Sequence, residues 1–390
     1  MWLNQSVPRD HKYHLSNPRR GGGGGFFFRV LVLLIIGVGV WVWWQSRHPS
    51  APLPQTKPVV PATNRAVLPK PVFVPPQTNV IAQPKTSLPP VKVVAPTPQP
   101  PPGDFPRPVR DVFETQLALA RNAISPGSLD GVMGSQTRAA ILVFQRKEGL
   151  PETAELNTNT QARLLLSAPA LTTYVVTSND LARLQPLSKT WLGKSQQTAL
   201  DYETILELVA EKGRASPNLV RRLNPVIDWT NVVAGTAVQI PDAIYPEPSG
   251  RAGFVVISLG EKKLEAFDTN TNLLAHFPCS IAAHFDKRPV GELHVKAIAP
   301  NPDYTFNPEV FPESAEARQI KTKLILPPGP NNPVGTAWIS LDKPGYGMHG
   351  TPGPEQVGRT ESHGCFRLAN WNAEYLLKLV WVGMPVYVEP

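Results

Sequence analysis

The chain has 390 residues, 42% of them hydrophobic, with 45 prolines and two cysteines; that is enough apolar mass for two or three cores but too much proline for one compact body. Its formal charge of +8 is confined to the start: residues 1–110 carry 13 Lys/Arg against 2 Asp/Glu, whereas 111–250 carry 12 against 14 and 251–390 carry 13 against 14. No folded part has the basic stripe that phosphate binding requires, which argues against nucleic acid as a partner.

Residues 1–25 form a tail with Arg9, Lys12, Arg19 and Arg20, followed by about nineteen mostly apolar residues from Phe26 to Trp44, a length that roughly matches the hydrocarbon thickness of a bilayer. Arg29 can snorkel at the near edge, and Trp41, Trp43 and Trp44 suit the far interface. The positive-inside rule makes the tail cytoplasmic and everything after residue 45 external. A cleaved signal peptide would have a shorter apolar core ending in small residues, so residues 26–45 read as an uncleaved single-pass anchor. Residues 46–110 carry prolines every few positions and scattered lysines; they cannot bury enough apolar surface to fold and read as a disordered, polyproline-like tether.

Residues 111–168 show helical periodicity in DVFETQLALARNAI, SQTRAAILVFQRKEGL and NTNTQARLLLS, with SLDGVMG as a turn and Ser135 as a candidate N-cap. Asp130-Gly131, Gly134, Thr137-Arg138-Ala139-Ala140, Phe144-Gln145 and Gly149-Leu150 resemble the peptidoglycan-binding family of three-helix modules. By themselves these are turn and core residues, so they argue for the fold more than for binding. Residues 172–243 read as strand, two short helices and strand, an order that resembles a LysM module through Tyr174, Asn224-Pro225, Gly235 and Ile240-Pro241. A twenty-residue stretch, LARLQPLSKTWLGKSQQTAL, intrudes before the first of those helices. With it, glycan binding and a worn-down spacer are both open.

After Gly250 the pattern becomes mainly β: GFVVISLG, KKLEAFDT, LLAHFPCSIA, GELHVKAIA, TAWISL and MPVYVEP are short β-type runs between Gly, Pro and Asn turns. One helix is expected, with Asn370 as N-cap, running toward Gly383. The fold class expected for 252–389 is a sandwich or barrel with one C-terminal helix, preceded by a small all-α unit and a small α+β unit.

His349 stands sixteen residues before Cys365, with Gly, Pro and polar residues between. A thiol is mostly protonated at neutral pH and the thiolate is the nucleophile, so an imidazole brought to the sulfur by that loop would activate it. The Gly364 and Cys365 amides could face a developing oxyanion, and Arg367, two residues on, could pair with a substrate carboxylate. Residue types alone leave three other readings open: an inert buried thiol, structural histidines at 349 and 363, or zinc. The spacing lacks the paired ligands of a zinc site. A Cys279–Cys365 disulfide is conceivable in an oxidising compartment, and Cys279 otherwise reads as a strand-core thiol.

MHGT followed by SHGCFRLAN resembles the signature of the L,D-transpeptidase (YkuD-like) catalytic domain, with KRPVGE and PPGPNNPVG resembling two of its turns. The resemblance implies Cys365 as nucleophile, His349 as general base oriented by the Gly350 carbonyl, and His363 and Gly364 as the oxyanion region. It further implies Ser362 and Arg367 as residues that support the substrate site. The implied activity is a two-step acyl transfer on peptidoglycan stems through a cysteine thioester, giving 3→3 cross-links or exchange of the terminal D-residue, with no metal or cofactor. The alternatives are an L,D-carboxypeptidase, with water as acceptor, or a wall-tethering protein with an inactive C-terminal domain. The expected location is the bacterial cytoplasmic membrane with the folded units outside it.

Overall fold

A computed structural model describes residues 105–390 except Pro312, Glu361 and His363. The expected anchor at 26–45, the tail before it and most of the tether lie outside the described residues. Among the described residues no helix is long and apolar enough to cross a membrane.

The first unit begins with β1 (Arg107–Pro108), which pairs antiparallel with β2 (Leu165–Leu166) and ties its two ends together. Between them run α1 (Val112–Ala120), α2 (Ser135–Lys147) and α3 (Thr158–Arg163). Asp111 caps α1 by accepting from the Glu114 amide, and Glu114 forms a two-bond pair with Arg107 at 2.6 and 2.7 Å. Gln116 organises the Asp130-Gly131 turn. Its Nε2 donates to Asp130 Oδ1, Val132 O and Thr137 Oγ1, while its Oε1 accepts from the amides of Asp130 and Gly131. Gln145 does the same for residues 153–160. Ser135 is not the cap of α2: it is the first helical residue, and the cap is Gly134, which makes no side-chain bond.

The second unit is closed by the antiparallel pair β3 (Leu171–Val175) and β4 (Ala237–Pro241), with Leu171 opposite Pro241. Between them lie α4 (Ser178–Arg183), α5 (Trp191–Ser195), α6 (Ile205–Lys212) and α7 (Pro217–Leu223). The intruding twenty residues thus end α4 and supply α5. The apolar stripe of α6 (Ile205, Leu206, Leu208, Val209) joins Leu117, Leu119, Ile141 and Phe144 in one core shared by both units.

The third unit is built on an eight-stranded sheet with the order β13-β12-β11-β8-β14-β5-β6-β7. Its strands are β5 (Phe254–Ser258), β6 (Lys263–Phe267), β7 (Leu273–Pro278), β8 (Gly291–Pro300), β11 (Ala337–Leu341), β12 (Gly347–His349), β13 (Phe366–Arg367) and β14 (Pro385–Glu389). The pairs β12/β13 and β14/β5 are parallel and the rest antiparallel. The expected mainly β domain is therefore one curled sheet. Register slips at Ser340/Leu341 and Ala266/Phe267 add local twist. A side hairpin, β9 (Tyr304–Phe306) with β10 (Leu324–Leu326), brackets the short helix α8 (Ala315–Gln319). Helix α9 (Asn370–Leu379) packs on β8, β11 and β12. Asn370 is its first residue and Ala369 its cap, because the Asn370 carboxamide is engaged elsewhere.

The three units dock through specific bonds. The Ser125 amide donates to His276 O and the His276 amide to Ala123 O, so the first unit covers the edge strand β7. Arg121 clamps Ala168 O, Pro169 O and Asp242. Within the intrusion, Trp191 stacks on Phe306 with ring centres 4.3 Å apart and lies 5.9 Å from Phe311. The Leu200 amide donates to Pro328 O and Leu200 O accepts from Asn331 N. The stretch that interrupts the LysM-like pattern is thus a clasp on the hairpin of the third unit.

Candidate active site

His349 ends β12 and Arg367 ends β13, and the two are register partners in the parallel pair. Registered residues of neighbouring strands share a face, and Cys365 stands immediately before β13. The spacing of sixteen residues is spanned by a loop whose C-terminal end is tied to the segment that follows β7: the Ser362 amide donates to Ile281 O, and Arg367 and Ser280 exchange both backbone bonds.

His349 is buried, with Trp338 stacked on its ring at 5.4 Å. Its Nδ1 lies 2.6 Å from Gly350 O. A carbonyl can only accept, so Nδ1 carries the proton and Nε2 keeps its lone pair. Burial, helped slightly by the Arg367 charge, pulls the imidazole down to about 4 against the Gly350 bond. Cys365 Sγ donates to Gly345 O at 3.4 Å. Burial pushes its thiol up to about 11, opposed by the Gly347 amide and the Arg367 guanidinium. Desolvation thus acts on both groups in the direction of their uncharged forms, thiol and imidazole.

Ser362 Oγ donates to Cys365 O at 2.5 Å and accepts from the Gly364 amide at 3.2 Å. This holds the turn before the nucleophile candidate in shape. The Gly364 amide is therefore occupied at rest, while the Gly347 amide is directed at the sulfur. Arg367 lines a cavity of about 250 Å³ together with Ser280, Thr351, Gln356 and Thr360. His363 lies outside the described residues. Among the described residues no group of three His, Cys, Asp or Glu could hold a metal ion. Cys279 is wholly buried, its thiol pushed upward by desolvation, and neither cysteine is in a disulfide. Arg288 donates to the carbonyls of Ala282 and Ala283 and covers the Phe285 ring, so it braces its turn.

Several residues that the sequence did not single out also shape the site. Tyr304 on β9 lies within electrostatic reach of Cys365 and Arg367, and burial pushes its hydroxyl up to about 12. Asn370, expected only as a cap, is a hub: Oδ1 accepts from the amides of Thr351 and Thr336, and Nδ2 donates to Pro330 O and to Glu211 Oε1 at 2.9 Å. Gly335 and Gly350 approach it so closely that a Cβ at either would run into Oδ1. Glu211 belongs to α6 of the second unit. One turn earlier Glu207 accepts from Asn331 Nδ2 at 2.6 Å, so two carboxylates at i and i+4 grip the wall of the site. Desolvation and the neighbouring carboxylates Glu374, Glu207 and Glu355 push Glu211 up to about 8, against the Asn370 bond.

Comparison with known proteins finds matches for the first and the third unit. Residues 252–388 match the family model described as "L,D-transpeptidase catalytic domain", and residues 109–164 match that described as "Putative peptidoglycan binding domain". The "Putative L,D-transpeptidase YkuD" of Bacillus licheniformis is 25% identical over 185 residues, 47% of this chain and 93% of that protein. The "Probable L,D-transpeptidase YbiS" of Escherichia coli is 26% identical over 182 residues, 46% of this chain and 58% of its own length. A solved L,D-transpeptidase structure from Xylanimonas cellulosilytica covers 75% of this chain and 99% of its own at 14% identity, with a TM-score of 0.31.

Proposed function

Taking residues 252–388 as an L,D-transpeptidase catalytic domain and peptidoglycan as its substrate, we propose that Cys365 carries the acyl group between two wall stems. The observation that carries this reading is the single tautomer imposed on His349: Nδ1–H is spent on Gly350 O, which leaves Nε2 as the base.

Sγ attacks the carbonyl of the third residue of a tetrapeptide stem as its proton passes to His349 Nε2. The Gly347 amide and Arg367 favour the charge that develops on sulfur. The imidazolium then gives its proton to the departing amine of the terminal D-residue, and a thioester remains. A neutral amine from a second stem attacks the thioester, loses a proton to His349, and the thiol is restored as the amide forms. Because both groups begin neutral, charge appears only at the transition state, where fixed dipoles act most strongly. Ser362 holds the turn at Cys365, Gly364 permits close approach of the stem, and His363 completes the oxyanion region by resemblance to the family.

The peptidoglycan-binding domain, the LysM-like segment 172–243, the tether 46–110 and an anchor at 26–45 would together hold this acyltransferase at the membrane face of the wall. Local concentration then takes over from tight binding at the sulfur. The test is Cys365→Ala assayed with defined muropeptides by mass spectrometry. Loss of cross-linked dimer with retained folding is expected, and undiminished dimer yield removes the proposal. Sedimentation of the full chain with membranes checks the anchor.

A further inference from the structure

Cys365 has two flanks of different character. Tyr304 lies within electrostatic reach of the sulfur and of Arg367, whereas Tyr346 lies within reach of the sulfur and of Asp286. The Arg367 flank opens into the cavity of about 250 Å³ and suits the carboxylate end of a donor stem. The Tyr346 flank is built for something else.

Tyr346 stands in the turn between β11 and β12, where its amide donates to Lys343 O and its carbonyl accepts from the Leu341 amide. Its two neighbours are the residues that touch the nucleophile: Gly345 O accepts from Cys365 Sγ at 3.4 Å, and the Gly347 amide donates to the sulfur. The half-buried ring runs alongside the residue before the sulfur, so that a Cβ on Gly364 would stand 3.7 Å from Tyr346 Cε1. Its hydroxyl makes no hydrogen bond among the described residues. Beside it comes the turn Phe285–Lys287, tied to the nucleophile loop because the Ala283 amide donates to Ser362 O. Phe285 is 81% exposed. The cations on these rings are held on their faces, Arg288 at 4.0 Å from the centre of Phe285 and Lys343 Nζ at 5.2 Å from that of Tyr346. Asp286 is exposed and makes no ion pair among the described residues. An aliphatic amine fits this flank: rings for its methylenes, a carboxylate for its charge, and a hydroxyl that can accept from its nitrogen. Water, the competing acceptor, has neither methylenes nor charge.

We propose that Tyr346 and Asp286 select the acceptor: the amine of the second stem reaches the Cys365 thioester over the Tyr346 flank, while the donor stem occupies the Arg367 flank. The inference rests on the acyl-transfer reading of Cys365. Asp286 draws in the ammonium, which sheds a proton to solvent. The neutral amine donates one N–H to Tyr346 Oη, which turns its lone pair toward the thioester carbon. The C–N bond forms, the C–S bond breaks, and the other amine proton passes through His349 Nε2 to the sulfur, restoring the thiol.

The test gives the full chain an isotope-labelled disaccharide-tetrapeptide donor and an unlabelled disaccharide-tripeptide acceptor. Mass spectrometry then counts released D-residue, labelled dimer and labelled tripeptide. Tyr346→Phe keeps the ring and should lower the ratio of dimer to labelled tripeptide about fivefold. Asp286→Asn should raise the acceptor KM about threefold more than the donor KM and remove its dependence on ionic strength. A ratio that holds in the first variant, acceptor and donor KM values that move together in the second, or tripeptide as the parent's only product overturns the inference. Release of no D-residue by the parent removes the transpeptidase reading and this inference with it, whereas an unmoved ratio removes this inference alone.

Discussion

Glu211 offers the sharpest check on how the second unit serves the catalytic one. Its carboxyl sits at about 8 instead of 4.5, mainly through burial, with Glu374, Glu207 and Glu355 adding to the push. A carboxyl raised on folding contributes stability that is fully present below about 4.5 and is lost as pH rises through about 8. At about 1.4 kcal/mol per unit the loss by pH 8 is at most about 4 kcal/mol, and partial exposure of the side chain reduces this to about 2 kcal/mol. Glu211→Gln keeps an oxygen for Asn370 Nδ2 and removes the ionisation. Urea unfolding of both proteins from pH 4 to pH 8.5 should therefore give matching stabilities at pH 4 and a variant more stable by about 2 kcal/mol at pH 8. Other carboxylates titrate in both proteins, so most of their effect cancels in the difference. Glu211→Ala loses the acceptor as well, loosening Asn370 and the Thr351 amide next to Gly350. We expect its kcat to fall about tenfold with KM little changed, while Gln retains activity; small misplacements of a base cost this much or more. A Gln–Glu stability gap that does not vary with pH, or equal activity of the Ala variant, would refute the reasoning.

The remaining expectations concern the base, the hub and the clasp. Acylation by a β-lactam should stay level from neutral pH down to about 5 and be half lost near pH 4, since His349 must be neutral and its pKa lies at about 4; a midpoint near the ordinary histidine value would sink the neutral-pair mechanism. The same shift removes stability as pH falls from about 6.5 toward 4, because protonation favours the unfolded chain. Asn370→Ala strands the amides of Thr351 and Thr336, so thermal unfolding should register about 3 kcal/mol of destabilisation and steady-state assays a larger loss than Glu211→Ala causes. Trp191→Ala removes the stack on Phe306 and should cost about 2 kcal/mol locally. Amide exchange should then accelerate in residues 304–326 and stay unchanged in β5 and β6; uniform acceleration would count against a local clasp.

The chemistry expected from the sequence depends on residue type at close spacing. Cys365, His349, Gly350, Ser362, Gly364 and Arg367 lie within 19 residues, and a loop returning to a parallel strand pair brings their segments side by side. Turn residues and periodicity likewise announced the helical unit and the β-rich one. Two cap assignments, Ser135 and Asn370, were displaced by one residue, since a side chain engaged in tertiary bonds or a glycine at the cap leaves no local signal. What only the tertiary structure decided depends on burial and distance along the chain. Nothing in the sequence singles out Glu207 and Glu211, and Trp191 lies in the stretch that intrudes before the helices of the second unit. Folding sets those carboxylates against Asn331 and Asn370 and that ring against Phe306, more than a hundred residues away. The electrostatics of His349 and Cys365 belong to the same category: the residues are written in the sequence, but burial in the assembled sheet is what pushes the imidazole down and the thiol up.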